Sequence, residues 1–256
     1  MRPELKVALI QSQLVWEDSE ANRELFSEKI KDIPNTIDLI VLPEMFTTGF
    51  TMQPQHIPVE EKEKTIAWMQ YWAQHKNAAL VGSIVNPEGG SYYNRLWFVE
   101  PHQITIYDKK HLFTLAGEHK MYTSGTSKVI IAYKGFKICP MICYDLRFPV
   151  WSRNVEQYDL LIYVANWPKR RIGAWDTLLK ARAIENMVYC IGVNRTGLDA
   201  FGHEYSGHSA VYDVLGNTLT YSEKDEVIYT TLYKAHIEST RNKLRFLEDR
   251  DSFSWI

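Results

Sequence analysis

The sequence predicts an α/β layered domain, and two kinds of segment carry this prediction. Apolar runs within 38–43 and 160–164 are as long as a strand and do not alternate with polar residues, which is typical of strands covered on both faces. Other strand-like runs are separated by turn sequences such as Lys134-Gly135, which indicates hairpins. Helix-covered strands combined with hairpins favour layered sheets. Pure alternation of strands and helices is missing, which argues against a barrel of eight repeats.

The first half of the chain is predicted to alternate strands with two amphipathic helices. Strands are predicted at 6–10, 38–43, 79–84, 95–99 and 104–107, and helices at 19–33 and 59–76. The helices follow from apolar residues that recur every three or four positions, such as Phe26, Ile30 and Ile33. The sequence Asn-Pro-Glu-Gly-Gly-Ser over 86–91 predicts the turn of a hairpin.

The second half repeats this mixture and ends in a polar segment. Strands are predicted at 129–133, 136–142, 160–164 and 188–193, and further strands flank the turn at Gly216-Asn217. Helices are predicted at 150–157 and 175–187, and the last helix covers 235–247.

Composition predicts one domain over residues 1–256, with a core over about 5–233 and a C-terminal tail over 234–256. The 256 residues are 45% hydrophobic, and no linker or low-complexity tract divides them. A balance of 29 basic and 31 acidic residues, net charge −2, argues against a nucleic-acid partner. The apolar runs are too short to span a membrane, and the first six residues lack the apolar segment of a secretory signal. Three cysteines are too few for a disulfide framework, so a cytoplasmic protein is predicted.

Cys143 is the cysteine best placed for chemistry. Cys139 and Cys190 fall inside apolar strands, where thiols are usually inert. Cys143 stands where a strand ends and the chain must turn, which suits a nucleophile beside an oxyanion site. On spacing alone, a structural role for Cys143 stays open. A metal site is not predicted, because His203 and His208 have no accompanying pair of cysteines.

A cysteine nucleophile needs a base and benefits from a cation. Candidate bases are His111, His119, His203, His208 and also Glu44, which follows a Leu-Pro strand end and precedes Met45 and Phe46. A solvated or helix-capping role for Glu44 is the alternative. The cation could be Lys109 or Lys110, and the residues alone do not separate them.

The motifs around these residues resemble the nitrilase, or carbon–nitrogen hydrolase, superfamily. Leu-Pro-Glu44, Asp-Lys109-Lys-His-Leu-Phe and Ile-Cys143-Tyr-Asp-Leu-Arg-Phe-Pro match its Glu-Lys-Cys triad in order and spacing, and the match runs from residue 5 to beyond 230. The family pattern selects Lys109 over Lys110 and makes Glu118 the second glutamate, which orients the lysine. The resemblance implies a four-layer α-β-β-α sandwich and a homodimer that stacks across helical faces.

The resemblance also implies a mechanism without metal or organic cofactor. Glu44 would deprotonate Cys143, and Lys109 with the Tyr144 backbone N–H would hold the oxyanion. The three side chains should then meet at the C-terminal ends of neighbouring central strands. The sequence looks most like the omega-amidase branch, whose members act on small-molecule amides such as 2-oxoglutaramate and 2-oxosuccinamate.

Such a substrate has a carboxylate, and its pocket needs walls and a cation. Phe46, Phe113 and Trp167 are candidate walls together with Tyr144, although aromatic residues more often fill cores. Arg171, in the basic run over 169–171, is the candidate carboxylate ligand, and a solvated charge run is the alternative. Arg182 is predicted to pair with Glu185 on its own helix.

Three alternative functions stay open at this point. The same triad would serve a deaminated glutathione amidase, a carbamoyl-amide hydrolase or a nitrilase. A Cys–His hydrolase would instead use His111 or His208 as its base. A non-catalytic binding protein could keep the fold, although the presence of all three triad residues argues against it.

Overall fold

The computed structural model describes residues 3–253, which form two six-stranded sheets, a small hairpin and five α-helices. The strands are β1 (Glu4–Gln11), β2 (Leu39–Val41), β3 (Ala79–Glu88), β4 (Ser91–Val99), β5 (Ile104–Asp108), β6 (Ile131–Tyr133), β7 (Phe136–Ile142), β8 (Leu160–Val164), β9 (Tyr189–Val193), β10 (Thr196–Leu198), β11 (Glu204–Ser206), β12 (Ser209–Tyr212), β13 (Thr218–Ser222) and β14 (Glu226–Tyr233). The helices are α1 (Ser19–Lys31), α2 (Glu60–Lys76), α3 (Glu118–Met121), α4 (Ile172–Asn186) and α5 (Lys234–Leu244).

Each large sheet has a parallel centre with antiparallel edges. The first sheet has the order β14-β1-β2-β3-β4-β5, in which β1, β2 and β3 run parallel. The second has the order β13-β12-β9-β8-β7-β6, in which β7, β8 and β9 run parallel. Strands β10 and β11 form a separate two-stranded hairpin. The continuous apolar runs predicted as buried strands are therefore the parallel strands of the two centres.

The two sheets face each other and helices cover their outer faces. Val7 and Leu9 of β1 belong to the same buried cluster as Met141 of β7, whose sulfur lies 3.7 Å from the Tyr107 hydroxyl of β5, and part of this cluster fills the space between the sheets. On the other face of the first sheet, Ala8 and Ile10 pack in a second cluster with residues of α1 and α2, such as Phe26 and Met69. Helix α4 packs on the second sheet. The four-layer α-β-β-α arrangement is therefore confirmed.

Helix α4 approaches its sheet closely because β9 carries a glycine. A Cβ atom at Gly192 would lie 2.3 Å from Leu179 Cδ1 and 2.7 Å from Trp175 Cζ2. Any larger residue at position 192 would push the helix away from the sheet.

The predicted helix over 150–157 is wrong. These residues form turns, because Asn154 supplies the hydrogen bonds that a helix would otherwise make. Asn154 Oδ1 accepts the Tyr158 N–H at 2.9 Å, and the Asn154 N–H donates to Asn186 Oδ1 at 2.8 Å. The segment is thereby fixed to the end of α4.

The predicted turn over 86–91 is shorter than expected. Strands β3 and β4 stay paired as far as Glu88 and Ser91, and only Gly89 and Gly90 form the turn. Both glycines have positive φ, +59° and +80°, which a two-residue hairpin turn of this kind requires. The β10–β11 hairpin is absent from the sequence prediction, because its strands are three residues long and carry no periodic pattern.

The last predicted helix is found slightly earlier than expected. Helix α5 ends at Leu244, and a 3₁₀ turn over Phe246–Asp249 follows it. The remainder of the predicted C-terminal tail, 254–256, lies outside the described residues. Among the helices of residues 3–253, none combines the length and the apolar character needed to cross a membrane.

Candidate active site

Three strand ends bring the predicted triad together, although the strands are not neighbours. Glu44 follows β2 and Lys109 follows β5, both in the first sheet, where β3 and β4 lie between them. Cys143 follows β7 in the second sheet. The expectation of neighbouring central strands is therefore wrong, because the side chains meet across the space between two sheets. Lys109 Nζ lies 2.8 Å from Glu44 Oε1, and Cys143 and Lys109 line one cavity.

The chain turns sharply at Cys143. Its φ is +43°, a left-handed conformation that non-glycine residues rarely adopt. A 3₁₀ turn over Cys143–Arg147 starts at this residue. Asp145 stabilises the turn by accepting the Ile142 N–H at 3.0 Å, and it also accepts the His111 N–H at 2.9 Å. The cysteine turn is thus joined to the loop that carries Lys109, and such strained positions cluster at functional sites.

Lys109 is buried between two carboxylates. Its ammonium donates to Glu44 Oε1 at 2.8 Å and to both Glu118 oxygens at 3.0 Å, and all three side chains are at most 1% exposed. Burial opposes the charge of Lys109, but Glu118 and Glu44 outweigh it and raise the pKa of Lys109 above its usual value. Burial, with repulsion from Glu44, raises the pKa of Glu118. Lys109 is therefore a permanent cation at this site.

Glu44 is fixed by asparagines that the sequence interpretation did not include among the site residues. The Asn166 N–H donates to Glu44 Oε2 at 2.8 Å, and Asn166 Nδ2 donates to the Glu44 backbone oxygen. Asn94 Nδ2 donates to Glu44 Oε1 at 2.8 Å. Asn166 starts an Asn-Trp-Pro sequence just after the apolar run over 160–164, which was an available signal, whereas nothing local marks Asn94.

The Cys143 thiol is neutral at rest. Burial raises its pKa well above the ordinary value, the Glu44 carboxylate raises it further, and the Lys109 ammonium offsets part of this effect. The pKa values of Cys139 and Cys190 are raised as well, by burial within β7 and β9. A neutral thiol must lose its proton to a base before it can attack.

A cavity of about 320 Å³ opens from Cys143. The predicted residues Phe113, Tyr144, Trp167 and Arg171 line it. Phe46 does not, and its prediction as a pocket wall is wrong, because its side chain is fully buried in the core against α1 and α2. The ring that faces the cavity near this point is Phe50, which lies four residues later and 5.0 Å from Lys109 Nζ.

Comparison with known proteins decides the family. The family model described as carbon-nitrogen hydrolase matches residues 6–242. The chain belongs to the carbon-nitrogen hydrolase family. It is 42% identical over 254 residues to the omega-amidase YafV of Yersinia enterocolitica, a match that covers 97% of this chain and 98% of that protein. It is 32% identical over 197 residues to a 2-oxoglutaramate amidase of Bacillus subtilis, covering 75% of this chain and 76% of that protein.

A solved structure supports the same family. It is a CN-hydrolase superfamily protein from Xanthomonas campestris with an arsenic adduct in its active site. Its TM-score is 0.96 at 37% sequence identity, and the match covers 98% of this chain and 99% of that one. The two folds therefore agree over nearly their whole length.

In this carbon–nitrogen hydrolase, three arginines contribute to the lining of the cavity. They are Arg147, Arg170 and Arg171, and within residues 3–253 none of the three forms an ion pair with a carboxylate. Arg171 lies 5.1 Å over the Phe113 ring, and burial, with repulsion from Arg170, lowers the pKa of Arg171. Arg147 is a further residue that sequence reasoning missed, whereas Arg170 belongs to the basic run from which Arg171 was chosen. Arg182 pairs with Glu185 at 2.9 Å, as predicted.

Of the four histidines considered as bases, only His203 lines the cavity, and its Nδ1 contacts Asp199 Oδ2 at 3.0 Å in the loop of the β10–β11 hairpin. His111 contacts Asp145 at 2.8 Å, His208 contacts Asp176 at 3.0 Å, and His119 lies on α3. In the described part of the chain, no three His, Cys, Asp or Glu side chains are grouped so that they could hold a metal ion.

Proposed function

We propose that this protein is an omega-amidase, which hydrolyses the terminal amide of small dicarboxylic acid monoamides such as 2-oxoglutaramate or 2-oxosuccinamate. One observation carries the proposal: the cavity that opens from Cys143 and Lys109 is also lined by arginines that have no carboxylate partner among residues 3–253. A substrate with an amide at one end and a carboxylate at the other fits this lining. The similarity to an omega-amidase and to a 2-oxoglutaramate amidase supports the same substrate class.

In the first half-reaction, Glu44 takes the Cys143 proton and the sulfur attacks the amide carbon. Lys109 Nζ and the Tyr144 backbone N–H hold the oxyanion, because the ammonium lines the same cavity as Cys143 and Tyr144 follows the cysteine in its turn. Glu44 then gives its proton to the departing ammonia, and a thioester on Cys143 remains.

In the second half-reaction, Glu44 activates water against the thioester. The carboxylate returns to its ionised form when ammonia leaves, so it can accept a proton from water. Attack on the thioester carbon passes through a second oxyanion, which the same two donors hold. The acid leaves and Cys143 is protonated again. Glu118 acts through Lys109, since both of its oxygens contact the ammonium at 3.0 Å.

Ammonia release from a panel of amides tests this function. We expect 2-oxoglutaramate to give a higher kcat/KM than glutamine or asparagine, because the arginines that line the cavity repel an α-ammonium group. Ammonia together with carbon dioxide from a carbamoyl-amide, but none from 2-oxoglutaramate, would favour the carbamoyl-amide hydrolase. Absence of turnover with any amide or nitrile would contradict the enzyme assignment of the site.

The carboxylate ligand is tested by Arg171→Ala. We expect the KM for 2-oxoglutaramate to rise at least about tenfold and the KM for pentanamide to change little, because only the former loses an ion pair. Lys169→Ala is the matched control, since Lys169 lies on the same loop but is exposed and paired with Glu204 at 2.7 Å. If Arg171→Ala changes the KM of both substrates equally, Arg171 does not bind the substrate carboxylate, and Arg147 or Arg170 becomes the candidate ligand.

We also infer a single domain, a homodimer and a cytoplasmic location. The shared cluster between the sheets supports one domain over 1–256, with the core over about 5–233.

Ile184 of α4 and Leu215 beside it are each 48% exposed, which supports a homodimer that stacks through this helical face. All three cysteines are free thiols, as expected in a reducing compartment. A molar mass of 29.9 kDa by light scattering, the mass of a single chain, would refute the dimer. Cell fractionation tests the cytoplasmic location.

A further inference from the structure

Asn94 lies between the two carboxylates of the site. It is on β4 and is fully buried. Its Nδ2 lies 2.8 Å from Glu44 Oε1 and 3.3 Å from Glu118 Oε1. Lys109 Nζ contacts the same two oxygens, at 2.8 and 3.0 Å. One ammonium and one amide therefore face the same pair of carboxylate oxygens.

Only the amide nitrogen of the Asn94 side chain makes hydrogen bonds in this site. Ionised carboxylate oxygens accept hydrogen bonds and cannot donate them, so the amide nitrogen and not the amide oxygen must face Glu44 and Glu118. Asn94 Oδ1 is buried and finds no hydrogen-bond partner among the described residues. A buried acceptor without a partner is unfavourable for stability. The amide therefore contributes to this site by donating to carboxylates.

The backbone of Asn94 also holds the lysine. The Lys109 N–H donates to the Asn94 carbonyl oxygen at 3.0 Å, which fixes the start of the loop after β5 to β4. Asn94 thus contacts Glu44 and Glu118 through its side chain and Lys109 through its main chain. No other side chain in the described part of the chain donates to both Glu44 and Glu118 apart from Lys109 itself.

We propose that Asn94 is a positioning residue that holds the Glu44 carboxylate aimed at the Cys143 thiol. This inference rests on the proposed role of Glu44 as the base. Two carboxylates that share a single ammonium repel each other, and a second, neutral donor between them holds both in place without adding charge. Glu44 keeps two donors when Asn94 is removed, Lys109 and the Asn166 N–H, so the base is weakened rather than lost.

The test is Asn94→Ala with 2-oxoglutaramate as substrate. We expect kcat to fall about ten- to a hundredfold, the size of a lost hydrogen bond to a charged group, while KM stays within about threefold. The acidic limb of the kcat/KM profile should move to higher pH, because the ionised carboxylate has lost a donor. Asn94→Ser, whose side chain is too short to bridge the carboxylates, should show the same changes in kcat and in the pH profile. It replaces the alanine variant in this test if Asn94→Ala does not fold.

Asn86→Ala is the matched control. Asn86 is on the adjacent strand β3, is equally buried, and makes no side-chain hydrogen bond to Glu44, Lys109 or Glu118. This variant should leave kcat and the pH profile unchanged. A merely structural role for Asn94 would lower the melting temperature while leaving kcat and the acidic limb of the folded enzyme at their wild-type values, and that result would overturn the inference.

Glu44→Gln separates this inference from the proposed function. If Glu44→Gln is inactive and folded Asn94→Ala matches the wild type, the role of Asn94 is refuted and the proposed mechanism stands. If Glu44→Gln retains activity, Glu44 is not the base and both proposals fall.

Discussion

At the scale of single residues, the charge of Glu44 affects how readily the Cys143 thiol loses its proton. Burial and the negative charge of Glu44 raise the pKa of the thiol, so the proton stays on sulfur at neutral pH. The proposed mechanism makes the same carboxylate the acceptor of this proton. Formation of the thiolate in that mechanism therefore requires proton transfer from Cys143 to Glu44.

Glu44→Gln should separate thiol ionisation from turnover. Removing the negative charge should lower the pKa of Cys143, because burial then remains to raise it but the repulsion from Glu44 is gone, while the Lys109 ammonium stays. We expect the pH midpoint of Cys143 alkylation by iodoacetamide to fall, although kcat falls at least about a hundredfold for lack of a base. A midpoint that is unchanged or higher would show that Glu44 carries no charge beside the thiol.

The two adjacent lysines should differ strongly. Lys109→Met leaves two buried carboxylates without their cation, so we expect kcat to fall about a hundredfold or more and the melting temperature to drop. Lys110→Met is the control, because Lys110 is only half-buried and its ammonium lies 5.4 Å over the Trp151 ring. Ammonia-release kinetics and thermal unfolding of both variants measure the difference. The reverse ranking would refute the assignment of Lys109.

Sequence reasoning identified candidate residues at strand ends but could not identify those inside strands. Cys143 and Glu44 stand out because each follows an apolar run and breaks its pattern. Phe46 was misplaced because an aromatic residue after a strand can face either the core or a pocket, and only the packing of Phe26 and Trp68 decides. Asn94 gave no signal, since its partners are 50 and 24 residues away.

At the scale of elements, the β10–β11 hairpin forms one wall of the cavity. Its loop and second strand bring Phe201, His203 and Tyr205 to the lining. Asp199 organises this loop, because its carboxylate accepts the Phe201 and His203 N–H groups at 2.9 Å and the Tyr205 hydroxyl at 3.0 Å. These hydrogen bonds outweigh the effect of burial and lower the pKa of Asp199.

Asp199→Ala should weaken substrate binding more than catalysis. The loop loses its shared acceptor and the cavity wall becomes less ordered, so we expect KM for 2-oxoglutaramate to rise about three- to tenfold with a smaller change in kcat. Asp213→Ala is the matched control, because Asp213 accepts the Leu215 and Asn217 N–H groups in a similar turn that does not line the cavity. The same change in KM for both variants would show a general loss of stability rather than a role for the wall.

Local patterns predicted most elements, and the failures have physical causes. Strands β7 and β8 were predicted with the bounds that the structure shows, because continuous apolar runs and flanking turns define them. The predicted helix over 150–157 failed because Asn154 and Asn186 form side-chain hydrogen bonds between distant segments. No local pattern contains such a pair.

At the scale of the whole molecule, the active site exists only because two sheets are stacked. Neither sheet alone carries all three residues of the triad, since Glu44 and Lys109 come from the first and Cys143 from the second. The layered class was predictable from strand and helix patterns, and the four layers were implied by the family resemblance. Which strands would face each other across the core was not predictable, because that depends on contacts between residues far apart in the chain.

The central claim is that Cys143 attacks the terminal amide, and the most direct measurement is ammonia release from 2-oxoglutaramate by three cysteine variants. We predict that Cys143→Ala gives no release above the uncatalysed background. Cys139→Ala and Cys190→Ala should keep wild-type kcat and lose at most some stability, because both thiols are buried within strands. Ammonia release by folded Cys143→Ala at a rate near that of the wild type would contradict the account.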